Sequence, residues 1–161
     1  MNNDNIKECL KPRGDVEIIV RYKDGREERF EFHNTVLKTG CEALAASLAN
    51  EIGDTYDFFI CRMLFGNNGT TGGVPKYVNA DRSGLFGPTI LTKPVVSNID
   101  AQIPSQVVFT SVIDFDEVNG FVLNEIALQM SNNDLYSMAT FADLNKTSLM
   151  QITWNWRLSF V

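Results

Sequence analysis

The most constraining stretch of this chain is MQITWNWRLSF, residues 150–160. Met150, Ile152, Trp154, Trp156, Leu158 and Phe160 alternate there with Gln151, Thr153, Asn155, Arg157 and Ser159. A period of two belongs to a β-strand with one dry and one wet face, because successive side chains on a pleated backbone point to opposite sides. Both tryptophans fall on the dry face, so the strand must lie against a large apolar partner. The pattern runs to the last residues, which predicts a C-terminal end built into the structure.

A chain of 161 residues has the length of one domain with a real core. Its aromatic share of 11% leans toward β-rich packing. The net charge of −6 argues against a general nucleic-acid surface. No apolar run is long enough to span a membrane, and the opening MNNDNIKECL has neither the basic nor the apolar region of a signal peptide. The three cysteines, Cys9, Cys41 and Cys61, are odd in number and show no CxxC spacing, so they read as reduced thiols. Cys41 is expected in the core.

Residues 1–13 are polar and predict a flexible N-terminal arm, followed by a single β-rich domain over 14–161. GDVEIIVRY and REERFEFH flank Lys23-Asp24-Gly25, a hairpin signal. Val16, Ile18, Val20 and Tyr22 share one face of it, and Phe30 and Phe32 lie on the opposite strand. Asn34 or Thr35 is placed to cap a helix over VLKTGCEALAASLANEI. Its expected apolar stripe is Leu37, Cys41, Leu44, Leu48 and Ile52, with Gly53 as the stop. TYDFFICRMLF, residues 55–65, reads as a strand.

GNNGTTGG and the following residues to about 106, with Pro75, Pro88, Pro94 and Pro104, read as an extended Pro/Gly-rich loop. A stretch of that length with weak patterning is usually functional or ordered by partners. Three further strands, VVFTSVIDF, FVLNEIALQM and LYSMATF, are separated by Asn119-Gly120 and Asn132-Asn133-Asp134. The fold class expected is mainly β (α+β), an antiparallel β-sandwich-like domain with one helix.

Catalytic, cofactor-binding and metal-binding sites are all read as absent. GNNGTTGG lacks the Lys-Ser/Thr of a phosphate loop. His33 is the only histidine, and with no second His or Cys near it cannot build a zinc site. Every Ser-His-Asp or Cys-His set would have to share it. Asp114, Asp116 and Glu117 form a solvated acidic turn whose oxygens are the one candidate for Ca²⁺. Glu125 interrupts a nearly apolar strand and is expected to be neutralised by Arg157 or Arg62. The sequons at Asn68 and Asn145 carry little meaning without a secretion signal.

NTVLKTGCEALAASLANEI, RMLFGNNGT, NEIALQM and LYSMATF occur in this order. In that order they resemble the N-terminal attachment modules of tail-collar and tail-fibre proteins of tailed bacteriophages, and related small neck or head-surface proteins. The matching positions are Asn34 to Leu48, Phe65 to Gly69, Asn124 to Ile126 and Leu135 to Phe141. The resemblance implies a structural, non-enzymatic component of the virion, made in the bacterial host cytoplasm. It would assemble in multiple copies on the capsid surface as a decoration or cement protein, or in the neck, tail or fibre base. Its partners would be other virion proteins and further copies of itself, with no nucleic acid or membrane. Fibre proteins continue into long repeats, whereas this chain stops at Val161, which favours a small building block. The alternative is a carbohydrate-binding β-sandwich at a host surface, with Tyr56, Phe58, Tyr77 or Tyr136 stacking on sugar.

Overall fold

The computed structural model describes residues 12–49 and 59–160. The chain runs β1 (Arg13–Tyr22), β2 (Glu27–His33), β3 (Thr35–Val36), α1 (Lys38–Leu48), β4 (Ile60–Gly66), β5 (Thr70–Thr71), β6 (Val74–Pro75), β7 (Leu91–Pro94), β8 (Val96–Ile99), β9 (Gln106–Ile113), β10 (Val122–Met130), β11 (Leu135–Asn145) and β12 (Met150–Ser159). The strands form two five-stranded sheets, ordered β2-β1-β12-β9-β8 and β3-β11-β10-β4-β7, and a two-stranded ribbon β5-β6. All pairings are antiparallel. The first sheet faces the second, giving the expected β-sandwich with a single helix among the described residues.

The alternating strand sits at the centre of the first sheet. Along β12, Trp154 lies opposite Ile18 of β1 and Ser111 of β9, and Trp156 opposite Val16 and Phe109. Both tryptophans are fully buried, together with Val16, Ile18 and Val20 from β1 and Ile113 from β9. The facing sheet supplies Met63 and Phe65 from β4, Ile126, Leu128 and Met130 from β10, and Phe141 from β11. Trp154 tilts between Phe65 and Phe141, with ring centroids at 5.0 and 5.4 Å, distances at which aromatic pairs attract beyond their simple burial. The β1–β2 hairpin turns at Gly25, whose φ of +91° a side chain would resist.

The second sheet is buried on both faces. Its outer side carries a smaller core of Leu37, Leu64, Val78, Ala127, Leu135 and Met138, with Leu85 and Phe86 packed against it. This is why FVLNEIALQM shows no alternation: a strand covered on both sides reads as nearly continuous apolar sequence.

The helix departs from expectation. Thr35 and Val36 are strand, paired with Met138 and Ser137 of β11, and the N-cap position is Leu37, with no side-chain cap. The buried face of α1 is Gly40 and Ala43, while Cys41 is exposed and Leu48 is 82% exposed. The reason is proximity. A Cβ at Gly40 would lie 2.4 Å from the carbonyl oxygen of Tyr136, so the helix rests on β11 too closely for an apolar stripe to fit between. Ile52, Gly53 and residues 55–58 of the expected strand lie outside the described residues, as do residues 1–11 of the expected arm.

Residues 66–106 are more than an extended loop. They contain β5 to β8, and β7 and β8 form edges of the two large sheets, on β4 and β9 respectively. Short edge strands escape pattern reading, because an edge buries few side chains and, as at Pro94 of β7, tolerates a missing N–H.

Candidate interaction surface

Two adjacent residues of β10 organise the outer side of the second sheet. A bulge between Leu123 and Glu125 lets Asn124 and Glu125 both turn toward the segments that cross it. Glu125 is fully buried. Its Oε1 accepts from the backbone N–H of Asn68 at 3.1 Å and of Gly87 at 3.2 Å, and its Oε2 from that of Phe86 at 2.6 Å. The Oδ1 of Asn124 accepts from the N–H of Gly69 at 2.6 Å, and its Nδ2 donates to Thr70 Oγ1 and Asp143 Oδ1, both at 3.0 Å. The N–H groups of two separate loops thus converge on one carboxylate, which balances its charge without a cation. Glycine is required at this junction, since a Cβ at Gly66 would meet Glu125 Oε1 at 2.5 Å and one at Gly69 the carbonyl of Asn124 at 2.2 Å.

The expected ion pairs of Glu125 do not form. Arg62 instead donates to Asn133 Oδ1 at 3.0 Å, and Arg157 stands on the wet face of β12. GNNGTTGG is neither a phosphate cradle nor a free loop. It leads into the β5–β6 ribbon, pinned at its base by Asn124 and turning through Gly72 and Gly73, with φ of +59° and +79°.

The other candidate residues are scattered. His33 pairs with Asp15 at an exposed strand end. Asp114 and Asp116 are exposed, and Glu117 is held by Lys93 at 2.8 Å. Among the described residues no group of three His, Cys, Asp or Glu could hold a metal ion. Tyr77 is 86% exposed, but Tyr136 is buried, and burial with nearby Cys41 pushes its phenol up to about 12. Tyr56 and Phe58 lie outside the described residues.

The sandwich opens beside α1, where Phe59 and Ile99 are exposed. A groove of about 600 Å³ runs there between the helix, β8 and the ends of β9 and β12, lined by Leu44, Phe59, Ile99, Phe109, Tyr136 and Phe160 among others. β8 forms one wall. All of its side chains are exposed, Val96 by 72% and Ile99 by 62%, and no strand covers its outer edge among the described residues.

The remaining edges of the large sheets are protected against further pairing. β2 carries Glu27, Glu28, Arg29 and Glu31, tied by exposed ion pairs such as Arg29–Glu27 at 2.8 Å. β7 carries Lys93 and Pro94, and β3 is only two residues long. β8 has neither charge nor proline. The contrast was invisible in sequence because it depends on which strands become edges.

No helix among the described residues is long and apolar enough to cross a membrane. A family model described as phage tail-collar fibre protein, N-terminal, matches residues 31–158. No curated protein and no solved structure matches the chain.

Proposed function

Since the chain belongs to the phage tail-collar fibre family and is a structural component of the phage tail or its fibres, we propose that it is an attachment module, docking in several copies at the fibre base through the β8 edge and the groove beside it. The observation that carries this reading is the β8 edge, which among the described residues has neither a covering strand nor a charge or proline to protect it. An exposed strand with free N–H and C=O groups, next to an apolar trough, suits an extended uncharged segment of a neighbouring virion chain, which would add a strand and seat alternate side chains. The family favours the tail over the capsid surface or neck as its place. Catalysis forms no part of the proposal: the one histidine is exposed at a strand end, and the buried carboxylate is saturated by backbone donors.

Replacing Val96 and Ile99 of β8 by lysine tests the proposal. Neither side chain is buried, so the isolated variant should keep its melting temperature while its incorporation into particles, followed by quantitative mass spectrometry, falls at least tenfold. Normal incorporation of the folded variant would refute docking at this edge. A sugar-binding module would show the opposite pattern, with incorporation intact and glycan binding lost on Tyr77→Ala.

A further inference from the structure

Lys146 is fully buried, at the junction of β11 and β12, and no part of the attachment reading uses it. Its Nζ donates to Asn119 Oδ1 at 2.9 Å, to the carbonyl of Thr147 at 2.9 Å and to the carbonyl of Phe115 at 3.5 Å. An ammonium has three N–H donors, and here three neutral oxygens receive them. No carboxylate pairs with it; burial holds its pKa below the ordinary lysine value, and the nearby Glu117, Asp116 and Asp114 offset that only in part. Two of these acidic groups are otherwise engaged, Glu117 with Lys93 and the N–H of Asp114, and Asp114 with Gln151 Nε2 at 2.8 Å, while Asp116 is exposed.

We infer that the Lys146 ammonium is the built-in cation of the 114–120 turn, occupying the position that an oxygen-coordinated metal ion would take, so that the turn binds no Ca²⁺. Two carbonyls and an amide oxygen are donors of the kind hard cations take, and here, beside an acidic turn, they converge on the ammonium instead. The ammonium reaches them tethered from the other loop, and a divalent ion would have to expel it.

The arrangement has a structural purpose. The 114–121 turn carries the chain from the first sheet to the second, and residues 146–149 carry it back. The backbone joins the same two loops, with Gly120 N–H donating to Lys146 O at 2.9 Å and Lys146 N–H to Phe121 O at 3.0 Å. Val118 holds a φ of +42° within the turn, a conformation a β-branched residue adopts only when its surroundings enforce it. Lys146 therefore clamps two sheet-to-sheet crossings at one end of the sandwich, independently of the ions in the medium.

Thermal melting and isothermal calorimetry with CaCl₂ test the inference on the full chain. The wild type should melt at the same temperature in chelator and in millimolar CaCl₂ and show no calcium-binding heat. Lys146→Ala in chelator should melt about 5–10 °C lower, the shift expected for a loss of a few kcal/mol in a domain of this size, and CaCl₂ should restore part of that loss. Should Lys146→Ala not fold, amine acylation of the native wild type gives the same decision: Lys146 should stay unmodified until denaturant is added. Stoichiometric calcium binding by the wild type, an unshifted Lys146→Ala variant, or rapid acylation of native Lys146 would each overturn it.

Discussion

The backbone N–H of Phe86 donates to the Glu125 carboxylate at 2.6 Å, across 39 residues of sequence. Through that contact a buried acid on β10 positions a loop that covers the outer face of its own sheet, and the same side chain holds the entry to the β5–β6 ribbon. The stretches Phe65–Gly69 and Asn124–Ile126 are thus two halves of one junction.

Glu125→Ala leaves the N–H groups of Asn68, Phe86 and Gly87 without their acceptor and is expected to cost about 2–4 kcal/mol, since hydrogen bonds to a charged group are the stronger kind. Glu125→Gln should lose part of this, because only one of its terminal atoms accepts. Urea titration gives the magnitudes. Hydrogen exchange should show faster exchange at Asn68, Phe86 and Gly87 in both variants, and unchanged exchange there would mean that these loops hold without the carboxylate.

Gly40→Ala should invert its usual sign. In an exposed helix interior the change stabilises by about 1 kcal/mol. At Gly40 the added Cβ meets the Tyr136 carbonyl at 2.4 Å, so the helix must lift from β11 and the variant should be less stable than wild type by chemical denaturation.

Trp154→Ala is expected to cost about 3–5 kcal/mol, the range for deleting a buried aromatic. Trp154→Phe should cost clearly less, because the indole N–H is buried without a partner among the described residues and its removal leaves nothing unpaired. Arg157→Ala, on the exposed face of the same strand, should stay within about 0.5 kcal/mol. Denaturant midpoints of the three variants decide. A costly Arg157→Ala would show a role for the wet face of the strand.

The Lys93–Glu117 pair gives the fold an acid-sensitive component. Burial works to raise the Glu117 pKa, but the Lys93 ammonium and the Asp114 N–H outweigh it and hold it below the ordinary 4.5. A depressed carboxylate contributes its full stability above that ordinary value and loses it as the pH falls through the lower folded value. Melting temperatures recorded from about pH 7 to pH 3 should therefore fall less steeply at the acid end for Lys93→Met than for wild type. Parallel curves would assign the acid sensitivity to other carboxylates.

What the sequence made legible was what depends on local pattern. The alternation through Trp154 and Trp156 identifies β12 as a half-buried strand, and Asp24-Gly25 marks the β1–β2 turn, because both signals lie within a few residues. Glu125 misleads for the opposite reason: its neutralising partners are backbone amides of distant loops, and an amide leaves no mark in composition, whereas Arg62 and Arg157 do. The helix stripe fails because Gly40 permits an approach that periodicity alone does not anticipate. Lys146 carries no signal of burial in its local sequence, and only the meeting of two crossings encloses it.

The central place of β12 also sets a timetable. Asn155 Nδ2 donates to Glu17 Oε2 at 3.0 Å across 138 residues, and every residue of β1 from Arg13 to Tyr22 pairs with β12. At roughly 5–20 residues per second of translation, the β1–β2 hairpin emerges from the ribosome on the order of ten seconds before the strand that completes it. Through that interval the apolar face of Val16, Ile18 and Val20 has no tryptophan to rest on. A slow stretch of codons placed before residue 150 would lengthen the period in which that face is uncovered and the chain most prone to aggregate.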